Sequence, residues 1–201
     1  MARRIVTAVT GASGAIYAAR FVKACLETGA TVELVASDFG HRLLLEELGL
    51  NLKAETFESW LDRAYGPAPG RTGRVVLHGD RELGAPIASG SQRWDGMAVI
   101  PCSMKSLAAI AHGLAGNLVE RAADVTLKER RPLVLVPRET PLNLVHIENM
   151  RAAALAGAAI APAMPAFYQK PETIEDLADF VVGRVLALLG IDHALFAPWE
   201  G

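Results

Sequence analysis

Apolar residues in this chain gather into short runs, broken at most by single polar residues, that are separated by longer stretches of mixed polarity. Residues 5–10, 31–36, 74–77, 97–100 and 133–136 are such runs. Their length and lack of alternation are expected of parallel strands buried on both faces. Between them, residues 15–27, 39–48 and 55–63 carry helical spacing, and the cation-rich stretch from Arg121 to Arg131 predicts another helix. Gly29 closes the first helix. A last helix is expected from Thr173 to Leu189, with Asp176 completing a capping box. Strands alternating with helices predict an α/β protein of three layers, a parallel sheet with helices on both faces. At 201 residues the chain is too short for two ordinary domains. One domain is expected over residues 1–190, with residues 191–201 as a tail. Trp199 in that tail is expected to wall off the site or dock on a neighbouring subunit.

Composition narrows the function. The formal net charge of −2 provides no global field for nucleic acid or an anionic membrane surface. Cys25 and Cys102 match no zinc or CxxC spacing, which suits free thiols in a cytoplasmic setting. The Arg-Arg near the start is followed too soon by Gly11, Ser13 and Gly14 for a signal peptide. The Ala-rich stretch from Ala152 to Met164 is too short to span a bilayer. Hydrophobic residues make up 51% of the chain, which points to surface buried between subunits of a homo-oligomer.

Candidate chemistry lies at strand ends, where open α/β sheets bind ligands. Thr10-Gly11-Ala12-Ser13-Gly14 follows the first strand and opens a helix, so its amides are expected to form an anion nest. It is neither GxGxxG nor a Walker motif, and the second strand ends in Ser37, which gives a ribose diol no carboxylate. One phosphate nest and a hydroxyl-lined pocket suit FMN better than NAD. Ser103-Met104-Lys105-Ser106 adds a second polar strand end. The fifth strand runs straight into Arg138-Glu139-Thr140-Pro141. Arg121, Asp124 and Lys128 share one face of their helix, a spacing that also suits a solvated salt bridge. His146 is expected on a helix in a structural role. The chain has no adjacent aspartates and so no DDxxD magnesium cluster.

Several blocks resemble the flavin prenyltransferases, the UbiX family. They are Gly11-Ala-Ser13-Gly14-Ala-Ile-Tyr17, Pro101-Cys-Ser103, Asn117-Leu-Val-Glu-Arg121-Ala-Ala-Asp124, Leu127-Lys128-Glu-Arg-Arg131-Pro, Arg138-Glu139-Thr140-Pro141 and Pro165-Ala-Phe167-Tyr168. The resemblance implies a Rossmann-like or flavodoxin-like fold and trimers assembling into a dodecamer. It implies transfer of a dimethylallyl group from dimethylallyl phosphate to N5 and C6 of reduced FMN, without a metal. The product would be prenylated FMN for a UbiD-type decarboxylase. By resemblance, FMN is held by Gly11, Ala12, Ser13, Ser37, Ser103, Met104, Lys105, Ser106 and Arg138. Lys128, Arg138, Tyr168 and Arg184 hold the leaving phosphate, with Arg121 beside them, and Ser13 and Glu47 relay protons to N5. Glu139 is the expected proton-transfer group beside Arg138. Leu83 stands where the bacterial family can carry a tryptophan. Two alternatives stand beside this reading: an FMN-dependent cysteine-type decarboxylase and a flavodoxin-like electron carrier.

Overall fold

The structure, a computed structural model, describes residues 2–196. Trp199 lies outside the described residues. Six strands form one all-parallel sheet: β1 (Arg4–Val9), β2 (Thr31–Ala36), β3 (Arg74–His78), β4 (Gly96–Cys102), β5 (Leu133–Pro137) and β6 (Ala159–Ile160). The described helices are α1 (Ala15–Glu27), α2 (Asp38–Leu48), α3 (Phe57–Tyr65), α4 (Met104–Ala111), α5 (Leu118–Lys128), α6 (Leu144–Leu155) and α7 (Ile174–Leu188).

Two cores explain the layering. In β1, Ile5 and Val9 enter one core while Val6 and Ala8 enter the other, all fully buried. The first core is closed by α1, α2, α3 and α7. The second is closed by α4, α5, α6 and a short 3-10 turn at Pro86–Ala88. The expected α/β architecture is therefore present, with layers α, β and α. The capping box at Thr173 and Asp176 forms in full at the start of α7. Two elements escape the sequence pattern. Helix α4 follows directly on Ser103, and β6 is only two residues long.

The strand order is β3-β2-β1-β4-β5-β6. Chain order reverses between β1 and β4, and in such sheets the crevice beyond the carboxyl ends at that reversal takes the ligand. Among the described residues, no helix is long and apolar enough to cross a membrane, and no cluster of metal-ligating side chains is present.

Candidate functional site

A cleft of about 400 Å³ opens at the reversal between β1 and β4. It is lined by Gly11 after β1, Ser37, Asp38 and Phe39 after β2, Asp80 after β3, Ser103, Lys105 and Ser106 after β4, and Asn117 and Val119 at the head of α5. Its floor is fixed by Thr10, whose hydroxyl accepts from the Ser103 amide at 2.7 Å and donates to the Pro101 carbonyl at 3.0 Å. Ser37 caps α2 through the Gly40 amide, and Ser103 caps α4 through the Ser106 amide. Two capped helix N-termini thus face one cleft. First-turn amides have no intrahelical partner, so both helices offer donors to an anion. With three serine hydroxyls and the Lys105 ammonium, this donor set fits a phosphate monoester.

Part of the glycine loop is already hydrogen-bonded within the chain. The Glu47 carboxylate accepts from the amides of Gly14 at 2.9 Å and Ala15 at 2.8 Å. The Ala12 amide is bonded to the Thr10 carbonyl at 2.9 Å. A carboxylate already neutralises the head of α1, so a second anion there would meet repulsion. Of the expected nest on Gly11 to Gly14, the Gly14 amide is thus taken by Glu47 and the Ala12 amide by Thr10, while Gly11 lines the cleft beside the N-termini of α2 and α4. Gly11 serves by being small, because a Cβ there would sit 2.5 Å from Cβ of Phe39.

Arg138 stands at the same carboxyl edge. Its amide donates to the Cys102 carbonyl at 3.4 Å and its Nε to the Ser13 carbonyl at 2.9 Å, tying the glycine loop to the end of β5. Glu139 beside it is exposed and accepts from the Thr140 amide. Met104 is buried, which leaves its backbone as the part able to meet a ligand. Burial pushes the Cys102 thiol up to about 12, so it is no thiolate nucleophile at the cleft. Burial also raises the Asp80 carboxyl above its ordinary value, against the pull of the Val119 amide.

The remaining expected cations do not converge within one chain. Asn117 caps α5 beside the cleft, so α5 runs back toward the opposite edge of the sheet. Lys128 ends it there, bonded to Glu129 at 2.8 Å. From Arg138 it is separated by the length of β5, roughly 15 Å at the usual strand rise. Arg121 and Asp124 pair at 2.7 Å on the same face, and Arg121 also donates to the Ala88 carbonyl. Tyr168 and Arg184 lie on the other face of the sheet. Tyr168 packs edge-on against Phe180 of α7, and Arg184 lines a separate cavity with His193 and Phe196. The expected phosphate-binding set is split three ways.

Comparison with known proteins assigns the family. The Flavoprotein family profile matches residues 1–186. A flavin prenyltransferase UbiX from Synechocystis sp. is 45% identical over 204 residues, covering 100% of this chain and 98% of that protein. The chain belongs to the flavin prenyltransferase UbiX family. A crystal structure of AnUbiX (PadA1) in complex with FMN and dimethylallyl pyrophosphate superposes with a TM-score of 0.88 at 41% identity, covering 100% of this chain and 99% of the other. A dodecameric FMN-dependent UbiX-like decarboxylase from Escherichia coli O157:H7 gives 0.85 at 40% identity, covering 98% and 100%.

Within this UbiX-family chain, part of the Leu-Lys-Glu-Arg-Arg block is architectural. The Arg131 guanidinium lies 4.1 Å from the centre of the Trp94 ring and donates to the Gly90 and Gln92 carbonyls. With Arg121 on Ala88, the block clamps residues 88–92 onto α5. Sequence reasoning missed Phe39, Asp80 and Asn117 as cleft residues. Phe39 carried a signal only as a bulky apolar residue directly after a strand-end serine.

Proposed function

We propose that this protein is a flavin prenyltransferase. It joins a dimethylallyl group from dimethylallyl phosphate to N5 and C6 of reduced FMN, making prenylated FMN for a UbiD-type decarboxylase. The observation that carries the reading is the cleft at the β1/β4 reversal, where two helix N-termini, three serines and Lys105 meet. That donor set suits the FMN phosphate, and Arg138, Ser13 and Glu139 at the adjacent strand end suit the flavin ring. FMN in this protein is the acceptor of the group transferred. In the transfer, the carbon–oxygen bond of the donor breaks with its electron pair leaving on phosphate. Cations and hydroxyls stabilise that developing charge without a metal.

Lys128, Arg138 and Arg184 reach one phosphate only if the protein assembles. We infer that Lys128, with Arg121, and the Tyr168–Arg184 pair are supplied by neighbouring subunits, in trimers building a dodecamer. Exposed Leu144, Val145, Ile147 and Leu155 on α6 support assembly, since α6 buries only Ala153 in one chain. The test is complementation. Lys128→Ala and Arg184→Ala subunits, each nearly inactive alone, regain activity when unfolded and refolded together, because some mixed sites hold both native residues. Mixed assemblies as inactive as their parents would refute the shared site.

A cysteine-type decarboxylase is disfavoured by the same cations, which such chemistry does not need. An electron carrier would have no use for Arg184 or Glu139.

A further inference from the structure

Phe39 is 69% exposed although it is a large aromatic side chain in the first turn of α2. Its stem is seated: Cβ and Cγ lie over Gly11, within 2.5 Å and 3.3 Å of where a Cβ on that glycine would be. Gly11 and Phe39 line the same cleft as Ser37, Ser103 and Ser106. The ring is therefore fixed at its root on the wall that carries the α2 amides, with its face open to solvent. An anion held by helix N-termini is bound more strongly where water is kept away.

We propose that Phe39 is a further FMN-contacting residue, its ring closing over the ribityl–phosphate arm at the mouth of the cleft and slowing its exit. This rests on the FMN reading above. It differs from stacking on the flavin ring, and from a contact between subunits, which is the other common use of an exposed aromatic side chain.

The experiment measures FMN and riboflavin binding and release by flavin fluorescence on wild type, Phe39→Ala and Phe39→Tyr, with assembly size from light scattering. Phe39→Ala should release FMN roughly tenfold faster and bind it correspondingly more weakly, as expected for uncovering part of an aromatic contact. Riboflavin, which lacks the phosphate, should change by less than about threefold, because a main benefit of the ring is lost with the anion. Phe39→Tyr should stay near wild type, and assembly size should not change. Unaltered FMN release in Phe39→Ala overturns the proposal. An equal loss for riboflavin overturns it in favour of ring stacking, and a loss that tracks a smaller assembly overturns it in favour of a subunit contact. Wild-type protein that fails to take up FMN overturns the functional reading itself.

Discussion

Replacing Glu47 by alanine strips the head of α1 of the only side-chain acceptor found there among the described residues. Gly14, the N-cap, provides no side chain of its own, and the Glu47 carboxylate bonds both the Gly14 and Ala15 amides. A lost N-cap acceptor costs about 0.5–2 kcal/mol, and the lost charge at a helix N-terminus about 0.3–1 kcal/mol. Glu47 is solvent-exposed, so screening holds the total near about 1.5 kcal/mol. For a chain of this size that corresponds to a fall of about 3–6 °C in Tm. Glu47→Gln keeps an acceptor without the charge and should lose about half as much. The vacated amides become an anion site. Sulfate should therefore raise the Tm of Glu47→Ala more than that of wild type, with chloride at matched ionic strength as control. Thermal unfolding followed by circular dichroism measures both effects. An unchanged Tm in Glu47→Ala, or sulfate lifting both proteins equally, would refute the capping role.

Other substitutions separate the remaining roles. Arg184→Ala should lower prenyl transfer by about two to three orders of magnitude while FMN affinity survives, since Arg184 lies across the sheet from α5 and away from the cleft. Steady-state kinetics beside an FMN titration checks it. Glu139→Gln should let the donor bind and an N5-linked flavin accumulate without closure to C6, visible by mass and absorbance of trapped flavin. Because burial raises the Asp80 carboxyl, the stability it contributes is present below the ordinary carboxylate range and lost as pH rises through its folded value. Asp80→Asn should accordingly gain Tm over wild type at neutral pH and not in acid, in a pH series of melts.

Much of the scaffold was legible because local and tertiary preferences agree. β2 and α1 form over the residues their patterns predict, and Thr173 with Asp176 caps α7 as its spacing implies. Helix α4 was harder to see, because eight residues rich in alanine show little polar contrast, and β6 pairs only through Val134 and Leu135. At the site, serines after strands were visible as ligand-facing hydroxyls, and they prove also to be helix caps. Glu47 could not be placed on α1 from spacing, since the contact spans two elements. The separation of Lys128 from Arg138 follows from the direction of α5, which a helical face alone does not disclose. Phe39 depends on the missing Cβ of Gly11, a long-range fit that carries no local pattern.

The reaction itself is tested most directly by weighing its product. Purified protein is incubated with reduced FMN and dimethylallyl phosphate without added metal, and the released flavin is analysed by mass spectrometry. The account predicts a flavin heavier than FMN by one dimethylallyl unit, attached at N5 and C6, with free phosphate formed in equal amount. FMN recovered unchanged, from protein shown to bind both compounds, would contradict it.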